Sequence, residues 1–405
     1  MTAVMEDKDV YLTGFSRLEK SLKNDRLPWL NALRQSAIDR FAALGFPTLD
    51  DEEWRFTPLA ALTRTPFEPA DASDGMELAG GPLPAGAIFC PLAEALAKHP
   101  RLVEPHLGSH ADSEEHAFTA LNTAFLSQGA FLYLPKGCVV ETPLTVRFHV
   151  RDAGRPQVWH RRILVIAEPA SQATLIERYE GPAGAYFTNA VSEVVLGDGA
   201  VVDHVKVQQE GAQAFHVATM NIQLGKSSNF ASHSITLGGQ LTRNDIDACL
   251  GGAGGEVTLN GLYLGHGDQL IDNHTQIDHA LPHCASHELY KGILDGKARG
   301  VFNGKIHVHP DAQKTDAKQT NKTLLLSDDA TINTKPQLEI YADDVKCTHG
   351  ATVGQLDAEA LFYLRSRGIG ADDARTLLTF AFANDIVSRI KVESLRTELE
   401  GVLRR

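Results

Sequence analysis

The sequence lacks long apolar runs, close cysteine pairs and an excess of positive charge, and each absence excludes a class of protein. Its longest apolar stretches are short, such as Ile163 to Ala167, against the roughly 18 residues that a membrane-spanning helix needs. No membrane span is expected. The five cysteines, Cys90, Cys138, Cys249, Cys284 and Cys347, are scattered and form no Cys-x-x-Cys pair. That excludes a disulfide framework and predicts reduced, buried thiols in a cytoplasmic protein. Lys and Arg number 38 against 51 Asp and Glu, a net charge of −13. Such a chain offers no basic face to neutralise phosphates, so no nucleic-acid partner is expected. The opening MTAVMEDKDV is acidic early and has no apolar core, which argues against a secretory signal or transit peptide. There is no Gly-x-x-x-x-Gly-Lys-[Ser/Thr] loop and no Gly-x-Ser-x-Gly elbow. The chain is therefore not expected to bind ATP through a P-loop or to act as a serine hydrolase of that type.

What is present falls into three textures. A hydrophobic content of 43% suffices for a real core. Residues 1–125 read as an N-terminal helical region with a linker. Leu30, Leu33, Ala37, Phe41 and Leu44 recur at helical spacing, and Gly45 and Pro47 stop that helix. Further helices are predicted from about Pro91 to Lys98 and from about Glu114 to Leu126. Residues 64–86, rich in Pro, Gly, Ala and Asp, read as an exposed linker. Residues 126–350 change to a period of two. Leu144, Val146, Phe148 and Val150 alternate with polar residues, and turn clusters such as Gly197-Asp198-Gly199, Gly238-Gly239 and Gly251 to Gly255 punctuate short segments. A sandwich or jelly roll fits that pattern. A solenoid fits better, because the strands are short, the turns frequent, and Asn221, Asn260, Asn273, Asn303, Asn321 and Asn333 suit polar ladders at coil corners. No strict repeat is visible. Residues 351–405 are helical again, with Gly368 and Gly370 separating a first helix from a second and Asp372 and Asp373 favouring the second helix's N-terminus.

Two groups of residues carry potential chemistry. His266, His274, His279, His283, His287, His307 and His309 crowd the late β region, with Cys284 among them. On a strand, His307 and His309 face the same side and could chelate together. The plainer account is that such imidazoles bond backbone groups at turns or face solvent. The segment DDVKCTHGAT, Asp343 to Thr352, is the sharper feature. Cys347 and His349 are two apart, so they share one face of an extended strand, and thiolate and imidazole both ligate iron and zinc. Two ligands do not close a tetrahedral site, so another surface would supply the rest. The adjacent carboxylates Asp328-Asp329 and Asp343-Asp344 point to opposite faces of a strand and read as turn residues.

Three segments together resemble one family. DDVKCTHGATVGQLDAEALFYLRSRGI (Asp343 to Ile369), HTQIDHALPHCASHELYKGILDGKARGVFNGKIHV (His274 to Val308) and DEEWRFTPL (Asp51 to Leu59) are similar to the SufB/SufD family of iron–sulfur cluster assembly proteins. The chain's length, and Gly350 where SufB typically carries a glutamate, point to the SufD branch. The resemblance implies a mainly β fold, a right-handed parallel β-helix between N-terminal and C-terminal α-helical regions. It implies a non-catalytic scaffold that pairs through its β-helix with a SufB-like paralogue and through its C-terminal helices with a SufC-like ABC ATPase. By the same resemblance, His349 matches the position implicated in a nascent iron–sulfur cluster, or iron, shared with the partner, and Cys347 matches a nearby thiol. Sulfur would arrive through the SufB-like chain, and no persulfide-forming cysteine is expected here. Some complexes of the family are associated with reduced flavin, for which this sequence carries no nucleotide fingerprint. An open solenoid end predicts a homodimer when the chain is isolated. Two other readings compete: a β-helix enzyme acting on acidic polysaccharide, and a zinc-dependent enzyme using His307 and His309.

Overall fold

The computed structural model describes residues 8–21, 27–70, 75–126, 128–151 and 154–404. From Gln128 to Gly354 the chain winds as a solenoid of two sheets. Strands alternate between them: Gln128–Leu134, Gln157–Ala167 and Phe187–Leu196 go to the first sheet, Leu144–His149, Gln172–Glu180 and Val201–Gln209 to the second. The last coil ends with Thr331–Ile340 in the first sheet and Lys346–Gly354 in the second. Neighbours within a sheet run parallel. Phe215, Leu241, Leu270, Arg299 and Thr331 stack in successive coils of the first sheet, and Val201, Asn229, Glu256, Ala285, Asp316 and Lys346 in the second. This is the parallel β-helix that the period of two and the frequent turns favoured. The stacked positions are 26 to 32 residues apart. That variation is why no strict repeat shows in the sequence.

One corner of the coil does repeat. Gly137, Ala170, Gly199, Ser227, Gly254, His283 and Lys314 occupy equivalent turns, and all have φ between 52° and 72°. Each donates its backbone N–H to a carbonyl of the next coil, to Pro169, Asp198, Lys226, Ala253, Pro282, Gln313 and Asp344 in turn. The left-handed conformation aims that N–H along the solenoid axis. Glycine meets the demand freely, whereas an L-residue there costs about 1–2 kcal/mol. Four of these corners carry side chains, so the glycine pattern shows only part of the repeat.

Inside, the alternating residues Leu132, Leu144, Val165, Leu175, Leu196, Val202, Leu224, Phe230, Leu250, Val257, Ile277 and Leu294 form one continuous core. The lumen also holds polar groups that must be paired to be tolerated there. The Glu177 carboxylate meets His204 Nε2 at 3.0 Å, and His204 Nδ1 meets the Ser232 hydroxyl at 3.0 Å. The asparagines do form cross-coil contacts: Asn244 donates to Asn273 at 3.2 Å and Asn221 to Asp247 at 3.3 Å. They sit in mid-strand, however, and not at the coil corners expected for them. A mid-strand amide can bond its register neighbour in the next coil, while the corners need backbone freedom instead.

Helices pack on both outer faces. The N-terminal helices Pro28–Leu44 and Ala117–Ala124 lie against the first sheet, where Phe41, Phe118 and Leu121 pack with Val158, Phe187, Val217, Leu241 and Val301. In the first of these helices Leu30, Ala37 and Phe41 are buried as the stripe predicted, while Leu44 is exposed. The helices Ala371–Val387 and Glu393–Leu403 close the second sheet, packing Ala383, Ile386, Ile390, Leu395 and Leu399 on Val205, Val207, Ile235, Leu262 and Ile293. Lys291 pairs with Asp385 at 2.6 Å, and the Arg178 guanidinium grips both oxygens of Glu398. The linker expected over residues 64–86 is instead partly structured. Glu68–Pro69 pairs with Gln157–Val158, and Met76–Ala79 pairs antiparallel with Leu144–His149. Residues 71–74 of that segment, and residues 1–7 of the opening, lie outside the described residues.

The two ends of the solenoid differ. At the first end, Met76–Ala79 and Ile88–Pro91 add antiparallel strands to the two sheets. Those edge strands are four residues long each, whereas at the last end the edges are the ten- and nine-residue strands Thr331–Ile340 and Lys346–Gly354.

Candidate functional site

Cys347 and His349 lie on that last strand, Lys346–Gly354. Its register places Cys347 beside Ala317 and His349 beside Gln319. Stacked positions on parallel strands project to the same face, here the lumen. Cys347 is half-buried against a small cluster of Ile306, Val308, Ala312, Ala317, Leu338, Ala342 and Val345. Burial pushes its thiol up, and a hydrogen bond from the Ala317 backbone offsets part of this. His349 is exposed at the open end. The sequence placed the two side chains on one face, and the structure puts that face at the mouth of the lumen. With no further coil beyond it, the site is open to a second surface.

Behind His349 runs a polar row that sequence reasoning missed. Glu288, Gln319 and His349 occupy the same register in three successive coils. The Gln319 amide donates to Glu288 at 2.9 Å, and Thr275, from the opposite sheet, donates its hydroxyl to Glu288 at 2.6 Å. Burial pushes the Glu288 carboxyl up to about 7, against the pull of those two hydrogen bonds. Among the described residues no charged partner neutralises it. A period-of-two reading marks Glu288 as inward, but only the coil stacking relates it to His349.

The histidine-rich stretch is dispersed by the same winding. His283 is a left-handed corner. His279 is buried in the lumen, bonded to the Ser286 hydroxyl at 2.9 Å, and burial lowers it to about 4. Cys284 is an interior thiol that donates to the Gly252 carbonyl at 3.3 Å and is raised by burial. Cys249 and Cys347 are half-buried, in contrast to the buried thiols expected throughout. His307 and His309 do meet, with ring centres 4.3 Å apart, on the outside of the first sheet.

His274 holds the N-terminal segment in place. Its Nε2 faces Asp272 at 2.9 Å and its Nδ1 faces Glu53 at 3.0 Å. Burial would lower this imidazole, but the two carboxylates raise it to about 9. Arg243 pairs with Asp272 at 2.7 Å, donates to the Glu53 carbonyl at 2.7 Å and stacks 3.8 Å from the centre of the Trp54 ring. Thr57 donates to Asp272 at 2.6 Å. The conspicuous segment Asp51 to Leu59 is therefore a clamp onto the first sheet.

The first C-terminal helix, Ala358–Ser366, buries no residue. Phe362 is 75% exposed, and Tyr363 and Leu377 are also exposed.

A two-sheet β-solenoid with helical covers, one end edged by short antiparallel strands and one end edged by long parallel strands bearing a thiol and an imidazole, defines the class of protein. The description "SUF system FeS cluster assembly, SufBD core domain" matches residues 148–382, and "SufBD protein N-terminal region" matches residues 5–71 and 70–146. The chain belongs to the SufBD family of iron–sulfur cluster assembly proteins. It is 35% identical to an iron–sulfur cluster assembly SufBD family protein of Synechocystis, over 90% of this chain and 88% of that one. It is 31% identical to the iron–sulfur cluster assembly protein SufD of Escherichia coli, over 90% of each chain. It is 29% identical to the protein of that name in Bacillus subtilis, over 98% of this chain and 97% of that one. Among the described residues no helix is long and apolar enough to cross a membrane.

Proposed function

We propose that this chain is a SufD-type scaffold subunit of a SufB–SufC–SufD complex, and that the open end of its solenoid pairs with a SufB-like paralogue. The observation that carries this reading is the open end itself. Two adjacent strands of ten and nine residues expose unpaired backbone edges, with Ile340, Tyr341 and Val353 exposed beside them. Such edges are templates for another chain, and the edge strands at the opposite end of the solenoid are only four residues long each. The nascent cluster, or its iron, is cargo bound between the subunits, with His349 and the Cys347 thiol contributed from this side and the remaining ligands from the partner. The exposed Phe362, Tyr363 and Leu377 suit the docking of a SufC-like ABC ATPase, which would hydrolyse ATP on its own chain. Its movement would reach the cluster site through the C-terminal helices, a two-state element biased by nucleotide. The polysaccharide reading loses support, because the chain belongs to a family of iron–sulfur cluster assembly proteins.

The test is co-expression with SufB-like and SufC-like chains, anaerobic purification, and quantification of iron and sulfide. Recovery of the ternary complex with cluster content that collapses in His349→Ala supports the proposal. Full cluster assembly by the intact His349→Ala complex removes the site assignment. Failure of the chain to capture either partner removes the scaffold assignment.

A further inference from the structure

On the outer face of the first sheet, far along the strands from the N-terminal clamp, three metal-ligating side chains converge. Asp278 and His307 are direct register partners on neighbouring strands, and His309 follows His307 by two residues on the same face. One donor atom from each of Asp278, His307 and His309 lies within 4.8 Å of the others. Among the described residues they are the one trio with such convergence.

We propose that Asp278, His307 and His309 form a binding site for a divalent first-row transition ion such as Zn²⁺, Co²⁺ or Ni²⁺. Two imidazole nitrogens and one carboxylate oxygen are the ligands, and at least one position stays open to water.

The donor set suits that class of ion. Imidazole with carboxylate favours zinc, cobalt, nickel and iron over calcium or magnesium, which want oxygen ligands throughout. The spacing suits it as well. Asp278 Oδ1 and His307 Nδ1 are 3.0 Å apart, close to the ~3.3 Å between ligand atoms around a tetrahedral ion with bonds of about 2.0–2.1 Å. A plain Asp–His hydrogen bond would account for that pair. It does not account for the His309 ring, which stands 4.3 Å from His307 and makes no hydrogen bond of its own among the described residues.

The surroundings are built to hold the three groups. Gln276 donates to the second oxygen of Asp278 at 3.0 Å, leaving the first for an ion. Such outer partners orient ligands and tune affinity. The His309 backbone N–H donates to the His279 carbonyl at 3.0 Å, which pins the main chain just past the strand end. The Tyr341 ring meets His307 edge-on with centres 5.5 Å apart. Asp247 lies near Asp278, and Glu339 is the register neighbour of His307 on its other side, paired with Lys305. All three ligands are half-buried, so an ion can enter from solvent. Asp278 also lines a cavity of about 780 Å³ between this face and the N-terminal region, which gives a second approach.

The experiment uses the full-length, tag-free chain titrated with Co²⁺, followed by visible absorption, with Zn²⁺ competition by calorimetry. The wild type is expected to bind one Co²⁺ with a nitrogen and oxygen ligand spectrum. Affinity should fall at least about tenfold in His309→Gln, in His307→Gln and in Asp278→Asn, while His349→Ala retains the ion. His309→Gln changes a half-exposed side chain at a strand end, so its metal-free melting temperature should equal the wild type's. Absence of saturable Co²⁺ binding by the wild type overturns the proposal. So does unchanged affinity in the His307→Gln/His309→Gln double variant, or a spectrum dominated by a thiolate charge-transfer band, which assigns the ion to a cysteine.

Discussion

Glu288 and His274 are buried ionisable residues with opposite consequences for pH dependence. Glu288 is raised from 4.5 to about 7 by burial, so the folded chain binds its proton more tightly than the unfolded chain does. Stability is then full below about 4.5 and falls as pH rises through about 7. Glu288→Gln should match the wild type at about pH 4.5 and exceed it by up to about 3 kcal/mol at about pH 8, as read by urea unfolding at both values. His274 is also raised, from 6.5 to about 9, but by partners that stabilise its charged form. Its contribution is fully present below 6.5 and is lost as pH rises through about 9. Asp272, pulled down to about 2 from 3.8 by His274 and Arg243 against its own burial, sets the acid limit. His274→Gln should therefore destabilise most between about pH 4 and 6.5 and least above about 9, by differential melting across that range. Neither residue's role was legible in the sequence. His274 stood in a histidine-rich run; Asp272, two residues before it, shares its face, but Glu53 and Arg243, which complete the clamp, come from distant segments. The pair Cys347 and His349 was legible, since two residues on one strand share a face wherever the strand lies.

At the scale of elements, the corner turns and the C-terminal helices lead to separate predictions. Ala170 is an exposed corner residue with φ 57°. Ala170→Gly should relieve about 1–2 kcal/mol of left-handed strain and lose part of it, about 0.5–1 kcal/mol, to glycine's greater unfolded freedom. A small rise in melting temperature is expected, where an ordinary exposed Ala→Gly change would lower it. In the helix Ala358–Ser366, Phe362→Asp removes an exposed ring with no packing role. The isolated chain should melt unchanged, while capture of a SufC-like ATPase should weaken at least about tenfold, or ~1.4 kcal/mol, by surface plasmon resonance. The strand pattern and the helix breaks at Gly368 and Gly370 were readable, because periodicity and backbone preference are local. The corner ladder was not, because Ser227, His283 and Lys314 hide it. Nor were the short strands in residues 64–86, since only partners such as Leu144–His149 make Met76–Ala79 a strand.

For the whole molecule, the proposed pairing surface is the end of the solenoid with the long edge strands. An isolated chain is expected to pair end to end with a second copy, and a concentration series in light scattering reads this directly. Val353→Lys places a charge on the exposed terminal strand. It should shift the isolated chain toward monomer and weaken capture of the SufB-like partner by at least about tenfold. A wild-type chain that stays monomeric at every concentration would count against the open end as a pairing surface. The sequence by itself determined the acidic, membrane-span-free composition, the β texture between two helical regions, and the shared face of Cys347 and His349. These depend on composition and on periods of two and 3.6, which act over a few residues. Only the tertiary structure decided which end of the solenoid carries the long edge strands, which residues stand behind His349, and that Asp278 meets His307 and His309. Those facts depend on coil lengths of 26 to 32 residues. A one-residue slip in the pairing of a strand would turn that strand's side chains to the other face.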